Sequence, residues 1–347
     1  MSHSVQFISE RIEVSENLEE INEIYYQRGW TDGLPILPPT EERVEKMLAG
    51  TIREPQDSLG IVHPGGGDAT IEKIAINAAM AGCLPEYMPV IITAIEAMLK
   101  EQFNLHWIQA TTHPVAPLLI LNGPIRNELH INSGHNVFGQ GHRANASMGR
   151  TIRLVLINIG GGLPGKLDMA THGQPGKYSF CIAENEELSP WEPLHVERGF
   201  DRSSNTVTVC GVEGPHNMND HSGDDGENIL TTFAGTIATQ GNNNMLYQKG
   251  EPLVVIGPEH AAIIARSGFS KQAVKHFLHE KARIPKRLFS KKHQQDQFSE
   301  FSDDALIPVT PKEDDFMIIV AGGAGKHSVF CPSFGLFTTS VTREIKP

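Results

Sequence analysis

The sequence predicts an α/β protein in which a mixed sheet is layered with helices. Five short aliphatic and β-branched runs, each stopping at a glycine turn, read as strands: 117–124, 152–162, 206–215, 252–258 and 316–325. Runs apolar without interruption suit strands buried on both faces. Helical stretches alternate with the later runs at 225–239, 259–267 and 271–281, the arrangement expected of α/β layers. At 347 residues, 39% of them hydrophobic, the chain can close a core without disulfides or a structural metal.

The elements follow in order. Residues 1–28 read as a helix, with spaced apolar positions at Ile12, Val14, Leu18, Ile21 and Ile24. The Pro38–Pro39 pair stops any helix, and Thr40 then serves as N-cap for one that Glu42 and Arg43 open and Gly50 ends. Residues 1–50 therefore form a helical arm with a Pro-rich loop, ahead of an α/β catalytic domain over 51–347. Past the HPGGGD loop, residues 69–82 and 90–101 read as buried helices, separated by Pro85 and Pro89. The 152–162 run has two readings, because residues 143–158 also form a continuous helical pattern that Gly160 would cap.

Two halves, 51–200 and 201–347, resemble each other at a few positions. Residues 123–134 and 257–268 share G-P-x8-S-G, and each follows a run beginning Pro-Leu. The loops HPGGGD and HSGDDG both enter an apolar helix, aligning His63 with His221. An internally duplicated α/β unit is one reading, and chance agreement is the other.

Charge and composition exclude several classes. The net charge is -12, from 29 Lys and Arg against 41 Asp and Glu, which disfavours nucleic acid and anionic membranes. Mean hydropathy is -0.24 and no apolar run approaches a membrane span of about 20 residues. The polar, acidic N-terminus lacks the features of a signal peptide, so a cytoplasmic location is expected. Eight basic residues crowd Lys271 to Lys292; acidic neighbours favour a solvated surface over a patch for an anionic partner. Cys83, Cys181, Cys210 and Cys331 form no CxxC and read as free thiols.

The chemistry concentrates in three loops. Residues 213–225 hold Glu213, His216, Asn217, Asp220 and His221; residues 130–150 hold His135, His142, Arg143, Asn145 and Arg150; residues 321–331 hold Gly323, Lys326, His327, Ser328 and Cys331. Ligands of α/β sheets bind beyond the strand ends, which is where these loops fall. One reading is a divalent metal (Zn, Fe, Mn or Ni) on His216, Asp220 and His221, with His135 or His142 assisting. A second is acid–base catalysis by His216, His221 or His327, with Glu184 as a carboxylate candidate. There, His142, Arg143, Asn145, Arg150, Asn217, Gly323, Lys326 and Ser328 would bind a small anionic substrate. A third makes Cys331 a nucleophile activated by Lys326 and His327. GGAGKHS is not a phosphate loop, since Val320 and His327 stand where Gly and Ser or Thr are required, and no dinucleotide fingerprint occurs. The GWTDGLPILPPT stretch, with Trp30 and Asp32, reads as packing or a subunit contact.

At GWTDGLPILPPTEERVEKML, AINAAMAGCLPEYMPV, GHRANASMGR, GKYSFCIAENEELSPWEPLHVERGF and GPHNMNDH, the chain resembles an uncharacterised bacterial family. That family is associated with small proteins carrying a selenocysteine-or-cysteine Gly-Ser-Cys motif. The resemblance spans most of the chain and implies a partner that supplies a reactive thiol or selenol, since this chain has no Gly-Ser-Cys of its own. The combined expectation is an oligomeric enzyme acting on a small anionic metabolite, lyase-like or by reductive cleavage with that partner. A metal-dependent hydrolase and a non-catalytic partner subunit are the alternatives.

Overall fold

The computed structural model describes residues 7–336 and 338–346. The chain begins with α1 (Leu18–Gln27) and α2 (Glu41–Leu48), then the hairpin β1 (Ser58–Val62) and β2 (Gly67–Thr70). Helices α3 (Ile71–Ala81), α4 (Met88–Met98) and α5 (Leu105–Ala110) lead into β3 (Ala116–Asn122). Next come α6 (Ile125–Glu128), α7 (Arg143–Asn158), β4 (Cys181–Ala183), α8 (Leu194–Glu197), β5 (Thr206–Val212) and β6 (His216–Asn219). The remainder is α9 (Gly226–Ile237), α10 (Asn243–Tyr247), β7 (Leu253–Ile256), α11 (Pro258–Arg266), α12 (Lys271–Lys281), β8 (Arg283–Pro285), α13 (Lys291–Gln297), β9 (Leu306–Pro308), β10 (Met317–Val320), β11 (His327–Cys331) and β12 (Val341–Glu344).

Two four-stranded mixed sheets form the centre, ordered β12-β5-β3-β4 and β10-β7-β11-β6. Alternate residues of each strand face opposite ways, and both faces are apolar. Leu118, Ile120, Cys210 and Ile182 of the first sheet meet Leu253, Val255, Met317, Ile319 and Cys331 of the second in one shared core. Leu119, Leu121, Val207 and Val209 point outward to α3, α4 and α7. Val254, Ile256, Ile318 and Val320 point outward to α9, α11 and α12. The result is helix, sheet, sheet, helix, which explains why the strands read as unbroken apolar runs.

The sheets repeat one pairing pattern. β3 runs parallel to β4 and antiparallel to β5, and β7 runs parallel to β10 and antiparallel to β11. After β5 the chain crosses to the second sheet as β6; after β11 it returns to the first as β12. The crossing segments pair through Val212 and Ser333, with Glu213 N–H donating to Pro332 O at 2.8 Å. This is a correspondence of topology, and a duplicated unit does not follow from it alone.

Several expectations are revised. Helix α1 starts at Leu18, because the Asn17 side chain accepts from the Glu19 and Glu20 N–H groups. Residues 10–17 form no helix, while Ile8 and Ser9 donate backbone N–H groups to Glu72; residues 1–6 of the expected helix lie outside the described residues. Residues 152–158 of the 152–162 run belong to helix α7, whose Ala144, Met148, Ile152 and Val155 join the sheet-side core. Its Leu154 packs instead on Ile36 and Met80 beneath the N-terminal arm, so this helix is apolar on two sides. Thr40 caps α2 as expected. Within the basic segment, Lys271 and Lys275 both engage Glu197, Lys286 engages Asp303, and Lys292 engages Asp296. Among the described residues no helix is long and apolar enough to cross a membrane.

Candidate functional site

The parallel strands β7 and β10 end side by side, and antiparallel β11 begins at the same end. These ends, with the 135–139 loop, enclose a cleft of about 490 Å³. Its walls include Gly257, the Ala321–Gly325 turn, His327, Ser328 and His135. Two of the three sequence-selected loops therefore supply the cleft walls. The third, 213–225, stands behind them.

His327 is the exposed first residue of β11. Its Nδ1 lies 2.9 Å from Asn217 Oδ1, an acceptor, so Nδ1 donates there and Nε2 makes no hydrogen bond among the described residues. Asn217 sits on β6 opposite Val329 of β11, and its side chain reaches His327 diagonally on the same face of the ladder. The His221 ring packs edge-on against His327 at 5.0 Å. Across the cleft, the His135 ring lies against Gly323, where an added Cβ would come within 2.0 Å of Nδ1. Glycine at this position is what admits the imidazole.

The glycine turn also presents N–H groups. Gly322 N–H donates to Ser133 O and Gly325 N–H to Glu259 Oε1. The Gly323 and Ala324 N–H groups have no acceptor among the described residues. Unpaired backbone N–H groups in a turn are donors available to an anion.

Ser328 and His260 form a second constellation. The buried Ser328 hydroxyl lies 2.9 Å from His260 Nδ1 and accepts from Gly257 N–H at 3.0 Å. His260 Nε2 lies 3.2 Å from the Asp220 carbonyl oxygen, so Nε2 carries the hydrogen and Nδ1 accepts from the Ser328 hydroxyl. Burial holds the His260 imidazole below its ordinary pKa, in the neutral form this arrangement needs. His260 was not singled out from the sequence. Its only signal is a polar residue on the apolar face of α11, beside Ala261 and Ile264.

Other expected site residues are placed elsewhere. His216 is exposed on β6 opposite Phe330 and does not line the cleft. Asn145 is buried and bonds both the N–H and the C=O of Asn132 and the Cys181 carbonyl, holding the 130–139 loop to β4. Arg150 forms a two-bond pair with Asp32 at 2.8 and 2.9 Å, anchoring the Pro-rich loop. Lys326 donates to Gly223 O at 2.7 Å and ties two loops together. His142 and Arg143 are exposed at the start of α7, outside the cleft lining. Glu184 is fully buried at the end of β4, accepting from Asn122 and from Leu194 N–H, with its carboxyl pushed up by burial.

The metal reading does not fit. Among the described residues no three His, Cys, Asp or Glu side chains converge on a point that could hold an ion. Asp220 Oδ2 instead accepts from Thr232, and His221 Nδ1 meets Asn219. The thiol reading fails too: Cys331 is fully buried between the sheets and burial raises its pKa far above the ordinary thiol value. Cys210 is likewise buried and pushed up to about 12.

No family model matches the chain, and no curated protein or solved structure proves similar to it.

Proposed function

We propose that the chain is an enzyme that moves a proton on a small oxyanion-bearing substrate, in a lyase-like reaction, at the β7–β10–β11 cleft. The observation that carries this is the free Nε2 of His327, held by Asn217 on a cleft wall that also presents the unpaired Gly323 and Ala324 N–H groups. The N–H pair would bind developing negative charge while His327 Nε2 takes the proton from carbon or returns it to the leaving group. His135 stands opposite as the complementary acid. The sequence resemblance adds a thiol- or selenol-bearing partner for reductive cleavage. Burial of Cys181, Cys210 and Cys331 supports that addition, since no cysteine of this chain lines the cleft.

The test is incubation of the protein in D2O with a panel of small 2-hydroxy, 2-oxo and dicarboxylic acids, followed by proton NMR. Deuterium incorporation or elimination with at least one acid, lost in His327→Gln with the fold intact, is the expected result. No turnover across the panel, or full turnover in that variant, refutes the proposal.

The Ser328–His260 pair favours one further reading, acyl transfer with Ser328 as nucleophile. Stoichiometric labelling of Ser328 by a fluorophosphonate, abolished in His260→Gln, would place acyl transfer first.

A further inference from the structure

A separate cavity of about 850 Å³ lies between the N-terminal arm, α7 and the 162–178 loop. It shares no lining residue with the β7–β10–β11 cleft. Arg153 reaches it from the middle of α7 and is 7% exposed. Its Nε donates to Lys177 O at 2.6 Å and its Nη1 to Gln109 Oε1 at 3.2 Å. Nη2 has no hydrogen-bond partner, and Arg153 forms no ion pair, among the described residues.

The nearby carboxylates are already committed. Asp168 takes Lys177 Nζ on both oxygens, at 2.7 and 2.6 Å, and Asp32 takes Arg150. The Arg153 charge is therefore in surplus, one net positive charge buried at a cavity wall. A buried charge without a partner is costly, so its retention calls for a compensating group. A second donor is also unspent: Gln174 Nε2 is buried without a partner, while its Oε1 accepts from Gly176 N–H. Tyr26 and Tyr178 line the same cavity and are half exposed, flanking its mouth with aromatic surface.

We infer that this cavity is a binding site for a small organic carboxylate with an apolar or aromatic body. One surplus charge matches a monoanion, since Lys177, the other lysine or arginine lining the cavity, is already paired with Asp168. Nη2 and the Gln174 amide would each donate to a carboxylate oxygen, and the volume falls within the range of small-molecule pockets.

The probes are benzoate and 2-naphthoate, with benzamide as the uncharged isostere and inorganic phosphate as a competing oxyanion. Binding to the full chain is followed by calorimetry and by the thermal unfolding midpoint. Saturable carboxylate binding below about 20 mM is expected, at least about tenfold tighter than benzamide or phosphate. Arg153→Met should lose about tenfold or more and Gln174→Leu several-fold, while His327→Gln keeps full affinity, which separates this site from the catalytic cleft. If Arg153→Met does not fold, Gln174→Leu and the acid-against-amide comparison on the native chain decide. Equal binding of benzoate and benzamide, tighter phosphate, unchanged affinity in Arg153→Met, or no saturable carboxylate binding overturns the assignment.

Discussion

Two glycines of the cleft differ in what a methyl group would meet. At Gly323 the added Cβ strikes the His135 ring, an exposed side chain that can swing away. Gly323→Ala should therefore cost less than about 1 kcal/mol of stability, while displacing His135 and lowering turnover. At Gly257 the Cβ would lie 2.2 Å from the His327 carbonyl oxygen, which is backbone of a paired strand and cannot yield. Gly257→Ala should cost about 1–3 kcal/mol or more. Urea unfolding of both variants checks the order, and equal losses would contradict it.

His260 gives a pH dependence with a definite sign. Burial depresses its folded-state pKa, so the folded protein binds fewer protons at this site than the unfolded chain. Its contribution is fully present above the unfolded value of roughly 6.5 and is lost as pH falls from there toward the folded value. Each unit of that descent removes up to about 1.4 kcal/mol. Acidification from pH 7.5 to 5.5 should thus lower the urea midpoint of the native chain more than that of His260→Asn. Parallel losses in the two proteins would assign the acid sensitivity to other groups.

Among the elements, those built on local pattern were legible and those built on pairing were not. Strands β3, β5, β7 and β10 appeared as apolar runs because both of their faces are buried. Strand β6, with sequence HNMN, carries a single buried residue, Met218, so its period resembles a polar loop. Reading these residues as a loop gives His216 the leading role, whereas the register puts His216 opposite Phe330 and sets Asn217, opposite Val329, within diagonal reach of His327. His327 and Gly323 were found because an apolar strand delivers them. The Ser328–His260 bond joins residues 68 apart and has no local signature. Arg150 and Asn145 were legible as special polar residues, but their partners, Asp32 and Asn132, are set by tertiary packing. The N-terminal arm depends on the first of these. Asp32→Ala leaves a guanidinium only 17% exposed without its carboxylate, at a cost on the order of 3 kcal/mol. Limited proteolysis within residues 28–40 should accelerate in that variant; unchanged cleavage would show the arm to be held mainly by Ile36.

At the scale of the whole molecule, the exchanged strands make the two sheets interdependent. β6 completes the second sheet although the preceding β5 lies in the first, and β12 completes the first although β11 lies in the second. A division at residue 200 would leave β5 apart from its partner β3 and strip the inner core of one side. Neither sheet can then unfold while the other keeps its native strand set, so a single cooperative transition is expected for a chain of 347 residues that could otherwise melt in parts. The tryptophans report on both sides. Trp191 packs against the helix layer of the second sheet and donates to Phe269 O at 3.0 Å. Trp30 lies in the N-terminal arm, where its carbonyl accepts from Asn158 of α7. Variants retaining only Trp191 or only Trp30 should show coincident urea midpoints by fluorescence. Midpoints separated beyond error would mean that the sheets part before the strand exchange is undone, and that the crossing at Val212 and Ser333 does not couple them.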